Sequence, residues 1–200
     1  MSVQALYQQK KMSSGDAIQF VKDGDTIVVP TGVGEPPVLL TALSDARRNY
    51  RDVKVSQILP LRKYGYIDPE TTEHVRHVAY FFGGCTRPGG QEGWIDFVPA
   101  YFSELPMLID RGLSPSEVVF SMASPMDEYG YFSLSLGVDY TMAALRKARA
   151  IVLEVNPNVP FANGDCHIHI SQVTALTESS DPLFEVGLPK IGPVQEAIGS

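Results

Sequence analysis

The amino-acid sequence predicts an α/β fold, a largely parallel sheet flanked by helices. Three observations carry this. Apolar, β-prone runs at 26–29, 118–123 and 150–155 are bounded by turn residues, as strands buried on both faces are. Helical patterns fall between such runs, from Val38 to Asn49 and from Asp139 to about Arg149. Strand, helix and strand then repeat along the chain, the order in which crossover helices join parallel strands.

The elements follow in turn. Residues 3–11 read as a short polar helix, and Ser13 or Ser14 caps a second from Asp16 to Lys22 with Ala17, Phe20 and Val21 inward. Asp23-Gly24-Asp25 is turn chemistry before the first strand. That strand enters Gly32-Val33-Gly34-Glu35, and Pro36-Pro37 open the next helix, where a missing N–H leaves nothing unpaired. A strand is expected over Val53–Leu59, a helix start at Asp68-Pro69-Glu70, and a further strand over Val78–Phe82. His74 and His77, beside Glu73 and Arg76, read as the solvated end of that helix. Five of the eight residues from Gly83 to Gly90 are Gly or Pro, so no regular element is expected there. That stretch is a mobile lid, a partner-facing surface or an ordinary loop. Ile95–Val98 follows as a short strand and Phe102–Arg111 as a helix ended by Gly112. Pro125–Gly130 is a turn and Tyr131–Leu136 an alternating strand; His167–His169 and Val173–Leu176 are extended. Residues 189–200 read as a linker and the truncated start of a second domain, in which a helix from Val194 stops after one turn; the first domain is 1–188.

Composition bounds the function. With 200 residues and 44% hydrophobic content the chain can bury one sizeable core. The formal charge of -7 and the lack of a Lys/Arg cluster argue against nucleic-acid binding. No apolar run is long enough to cross a bilayer, and the N-terminal stretch lacks the apolar block of a signal peptide. Two widely separated cysteines, Cys85 and Cys166, fit a reduced, cytoplasmic protein.

The chemistry centres on residues 32–35. Glycines there let bare backbone approach a ligand, so the intervening amides can face an oxyanion, carboxylate or thioester oxygen. The third glycine of a dinucleotide loop is absent, since Pro37 stands in its place, and so is the Gly-Lys-Ser/Thr of a phosphate loop. Glu35 sits on the turn and is placed to position a ligand or a catalytic partner; attack on a thioester is a lesser alternative. His167 and His169 share one strand face but lack a third ligand, so a hydrogen-bonded role is preferred to a metal. Asp127-Glu128 reads as a hairpin tip. No cofactor is called for.

Several of these residues resemble a known family. Pro125-Met-Asp-Glu-Tyr-Gly-Tyr-Phe-Ser-Leu-Ser-Leu-Gly137 with Val138-Asp139-Tyr140 is similar to a signature of the acetyl-CoA hydrolase/transferase family, which includes 4-hydroxybutyrate and butyrate:acetate CoA-transferases. Ala150–Val155 with Asn156, Asn158 and Pro160, then Gly164, Asp165, His167 and His169, resemble its next block; Gly24-Asp25 and Gly32–Pro36 also fit. The resemblance implies a family I CoA-transferase N-terminal-domain fold. It implies CoA moving between an acyl-CoA and a small carboxylate through a glutamyl-CoA thioester, with coenzyme A as substrate. In the family the nucleophilic glutamate and the CoA-binding loop lie in a C-terminal domain, whose opening Gly192–Ile198 resembles. No catalytic residue is therefore assigned within this chain, and the chain alone is expected to be inactive. Gly32, Val33, Gly34 and Glu35 would face the acyl group, with Gly83, Gly84 and Arg87 as a second cleft-side loop. The expected partners are the two substrates, the glutamate-bearing domain and further copies in a homo-oligomer. A separate subunit of a heteromeric CoA-transferase and a non-catalytic acyl-CoA or carboxylate sensor are the alternatives.

Overall fold

The computed structural model describes residues 2–199. Among the described residues nine strands form: β1 Thr26–Val28, β2 Val53–Gln57, β3 Val75–Ala79, β4 Asp96–Phe97, β5 Val118–Ala123, β6 Tyr131–Ser133, β7 Ala150–Val155, β8 His167–His169 and β9 Ala175–Glu178. Seven make one sheet in the order β4-β3-β2-β1-β5-β7-β9, with each neighbouring pair parallel. The remaining pair, β6 and β8, forms a small antiparallel ladder. Every residue of β5 and β7 is buried, as strands covered on both faces must be.

The helices are α1 Val3–Lys10, α2 Ser14–Ala17, α3 Pro37–Ala46, α4 Arg87–Glu92, α5 Leu105–Asp110, α6 Thr141–Lys147 and α7 Pro193–Gly199. On one sheet face α2 and α3 pack Ala17, Leu39, Leu40 and Leu43 against Ile27, Val55, Val118, Phe120 and Val152. The three leucines are fully buried, and each such side chain contributes about 1.5–3 kcal/mol. On the other face α5 and α6 pack Leu105, Ile109, Ala143 and Ala144 against Val28 and Val119. Alternation along β5 divides the layers: Val118 and Phe120 belong to the first, Val119 to the second. The β6–β8 ladder closes a third cluster with Phe132, Leu153, Ile168 and Leu176.

This topology determines where a ligand belongs. From β1 the chain steps outward through β2, β3 and β4, whereas β5, β7 and β9 extend the sheet on the opposite side. Strand order therefore reverses between β1 and β5, and the crevice outside their carboxyl ends is the preferred binding position of an open α/β sheet.

Five expectations need correction. β3 lies at Val75–Ala79, not 78–82, because Val75, His77 and Ala79 alternate inward and Arg76 pairs with Asp96 of β4 at 2.6 Å. His77 is therefore a buried strand residue and not part of a solvated helix end; Asp68 caps only the 3-10 turn Pro69–Thr71. The glycine-rich segment does hold a helix, α4, opened by Pro88 in its first turn; Gly89 and Gly90 lie against Ile95, Trp94 and Phe82. Two further extended segments shift as well. β6 ends at Ser133, giving way to a 3-10 turn at Ser135–Gly137, and β9 begins at Ala175.

Candidate functional site

The Gly32–Gly34 turn stands at the carboxyl end of β1, on the switch point. It is a 3-10 turn in which Gly32 adopts φ 61°, a conformation glycine supplies without strain. The Gly34 amide donates to Thr31 O at 3.3 Å and the Glu35 amide to Gly32 O at 3.2 Å, so both serve the turn itself. The Gly32 amide donates to Leu59 O, tying the turn to the segment after β2. Across the crevice lies the 3-10 turn at Ser135–Gly137, and Gly34 meets Gly137 backbone to backbone. Asp139 locks the pair: one carboxylate oxygen accepts the Thr31 amide at 2.8 Å, the other the Thr141 amide and hydroxyl. Tyr140 donates its hydroxyl to Val29 O at 2.6 Å and accepts the Ile58 amide, so three loops share one anchor.

Glu35 is buried, with 3% of its surface exposed. Its carboxylate accepts three hydrogen bonds: from Gln57 Nε2 at 3.1 Å, the Leu61 amide at 3.2 Å and the Tyr64 hydroxyl at 3.0 Å. Burial pushes its pKa up, against the opposite pull of those bonds and of the Arg62 charge. A carboxylate enclosed in this way braces the turn from beneath and has no open face for attack on a thioester. Arg62 lies with its guanidinium 5.3 Å over the Phe184 ring and, with Val33, Met122 and Asn156, lines the small crevice beside Glu35. A larger cavity of about 660 Å³ runs along α3 and shares Arg62 and Asp181 with it. Asn156 donates to Asp181 O at 2.9 Å, drawing the 181–184 strap over the end of β7.

Glu154 is the second buried carboxylate. It projects from β7 and accepts the α3 amides of Val38 at 2.8 Å and Leu39 at 3.2 Å. Its burial also raises its pKa.

The second predicted loop follows β3. Gly83 and Thr86 close it through Gly83 N to Thr86 Oγ1 at 3.0 Å and Arg87 N to Gly83 O at 3.0 Å. Gly83 packs against Leu59, whose carbonyl also holds Gly32, so this loop and the first share a rim of the sheet. Gly84 and Arg87 are exposed, and Arg87 joins Phe81, Phe82 and Phe97 around a groove of about 460 Å³. Burial raises the Cys85 thiol pKa, and the nearby Glu35 charge adds to the shift. His167 and His169 turn to local oxygens, Ala162 O at 2.9 Å and Ser171 Oγ at 2.8 Å. Asp127 accepts the Tyr129 and Tyr131 amides at the hairpin tip.

Sequence reasoning located the turn and missed what holds it. Gln57, Tyr64 and Arg62 carry no motif. Only Glu154 gave a signal, as a charge inside the apolar run Ala150–Val155, where burial demands a partner.

Chain and fold together place this protein in a family. The acetyl-CoA hydrolase/transferase N-terminal domain model matches residues 1–186, and the chain belongs to that family. It is 42% identical over 96% of its length to a succinyl-CoA:cyclohexane-1-carboxylate CoA transferase of Geobacter metallireducens. Over 100% of its length it is 34% identical to a 4-hydroxybutyrate coenzyme A transferase of Clostridium kluyveri. The chain spans 44% and 46% of those two relatives, respectively. The crystal structure of RipA from Yersinia pestis superposes with a TM-score of 0.88 at 29% identity, covering 96% of this chain and 47% of that one. A 4-hydroxybutyrate CoA-transferase structure from Porphyromonas gingivalis gives a TM-score of 0.77 at 28% identity, over 92% of this chain and 42% of that one.

Proposed function

We propose that this chain forms the acyl-facing part of a CoA-transferase, moving CoA between an acyl-CoA and a small carboxylate. The observation that carries this reading is the family match over residues 1–186. The relatives' names, which include a cyclohexane-1-carboxylate and a 4-hydroxybutyrate CoA transferase, support a carboxylate acceptor. The nucleophile is a glutamate outside these residues. It attacks the acyl-CoA carbonyl and expels CoA thiolate, leaving an acyl-glutamyl anhydride. The thiolate then attacks the glutamyl carbonyl and releases the first carboxylate. The acceptor carboxylate regains CoA by the reverse steps.

In that cycle the turn at residues 32–35 faces the reacting carbonyl. Because the Gly34 amide already serves Thr31, oxyanion donation falls to Val33. A donor of this kind is worth roughly 3–4 kcal/mol of barrier in a dry cleft. Glu35 braces the turn, and Gly83, Gly84 and Arg87 border the same cleft. Coenzyme A enters as substrate, with no further cofactor. Residues 189–200 open a second domain, in keeping with the exposure of Leu188, Ile191, Val194 and Ile198. We place the protein in the cytoplasm as a homo-oligomer. Among the described residues no helix is long and apolar enough to cross a membrane.

Turnover tests the reading. The purified chain alone should release no thiol from acetyl-CoA, and acyl exchange with acetate should appear when the glutamate-bearing part of a close relative is added. Exchange by the chain alone would contradict it.

A further inference from the structure

We propose that Glu154 is a positioning residue for the acyl-facing turn, setting its place over the crevice by capping α3 from across the sheet. The proposal rests on the functional reading above for its catalytic consequence, though not for its geometry.

An α-helix opens with amides that have no partner within the helix, and a short polar side chain just before it normally accepts them. Here Pro36 occupies that cap position and Pro37 the first turn. Neither offers an N–H or a side-chain acceptor. The first donors of α3 are therefore Val38 and Leu39, and one oxygen of Glu154 takes both, from two strands away in the sheet. The side chain is fully buried, so this is a charge-assisted contact shielded from water, reinforced by the positive end of the helix dipole. The second oxygen, Oε1, is buried as well, and the Ser179 hydroxyl also bonds this carboxylate. A charge held at that desolvation cost on a strand that is otherwise apolar calls for a role beyond filling space.

Position supplies that role. The turn and the start of α3 are continuous chain, with only Pro36 between Glu35 and the helix. The turn is held on its other side by Gly137 and by the Asp139 carboxylate on Thr31. Glu154 thus supplies the opposing fixture, and its reach decides where the helix start and the turn settle. Reach and charge are separable. Glutamine keeps the length and one acceptor oxygen, and its amide nitrogen replaces Oε1. Aspartate keeps the charge and shortens the arm by about 1.5 Å.

The test compares Glu154→Gln with Glu154→Asp in the isotope-labelled chain and in the reconstituted enzyme. Both variants retain an acceptor for α3, so both keep the fold. The Gly32, Val33 and Gly34 amide resonances should stay in place in Glu154→Gln and move in Glu154→Asp. In turnover, Glu154→Gln should hold kcat within about twofold, while Glu154→Asp loses roughly tenfold to a hundredfold in kcat with KM little changed. Turn resonances that stay fixed in Glu154→Asp, or move as far in Glu154→Gln, would overturn the proposal. If the wild-type chain supports no turnover with its complement, the CoA-transferase reading fails, and the resonances alone decide the role of Glu154.

Discussion

A methyl group on Gly34 should destabilise the chain by about 2–3 kcal/mol and lower its melting temperature by roughly 4–12 °C. A Cβ built at Gly34 lies 2.7 Å from Gly137 Cα, 3.0 Å from Gly137 N and 3.0 Å from Leu136 O. All three are backbone atoms, so relief requires the two turns to separate. Asp139 and Tyr140 oppose that separation, since they bond Thr31 and Val29 from the Gly137 side. The turn must therefore either distort or lose those bonds, and activity in the reconstituted enzyme should fall by about a hundredfold. Two controls isolate the cause. Gly84→Ala meets no heavy atom within 4 Å and should leave the melting temperature unchanged. Gly83→Ala comes within 2.5 Å of Leu59 Cδ1, the tip of a flexible side chain, and should cost less than Gly34→Ala. Calorimetry of the three variants checks the order; equal melting temperatures for Gly34→Ala and Gly84→Ala would refute the close approach.

Acidification should expose His77. Its ring is 1% exposed, stacks on Tyr66 with centroids 6.3 Å apart, and has no hydrogen-bond partner for either nitrogen among the described residues. Burial depresses its pKa from 6.5 to about 3. The unfolded chain therefore binds a proton in this window that the folded chain does not. The stability tied to neutral His77 is complete above pH 6.5 and is lost as pH falls toward 3, at up to about 1.4 kcal/mol per pH unit. Glu35 and Glu154 have raised pKa values and act with the opposite sign, losing stability as pH rises through their folded values. A comparison with His77→Leu cancels both. The gap in unfolding free energy between wild type and variant should shift toward the variant by roughly 3 kcal/mol between pH 6.5 and pH 4. A gap that does not change with pH would show that the imidazole reaches solvent in the folded state.

Much of the fold was legible because its strongest elements need no distant partner to declare themselves. The runs 118–123 and 150–155 are apolar throughout and flanked by turns, and they became β5 and β7 over those same residues. Helix α3 announced itself through Pro36-Pro37 and its leucines. Segments decided by tertiary contact were harder to read. β3 competed with the more apolar Val78–Phe82 run and prevailed because His77 could be buried beneath Tyr66 and Arg76 could reach Asp96. Helix α4 forms from Arg-Pro-Gly-Gly-Gln-Glu against propensity, its glycines letting Ile95 and Phe82 press close. The turn at Gly32–Glu35 was visible from its glycines, yet Glu35 looked available and is enclosed. The groups enclosing it, Gln57 at the end of β2 and Leu61 and Tyr64 on the loop that follows, come from elsewhere in the chain, and the cap of α3 comes from Glu154, 116 residues beyond Val38.

The central claim is that this chain presents the acyl group while the nucleophile lies elsewhere, and covalent trapping tests it directly. The chain and its glutamate-bearing complement would be incubated with acetyl-CoA, denatured, and mapped by mass spectrometry for peptides carrying a CoA thioester. The expected result is a single modified glutamate on the complement and none among residues 1–200. A CoA adduct on Glu35 would contradict the claim and make the enclosed carboxylate the reacting group.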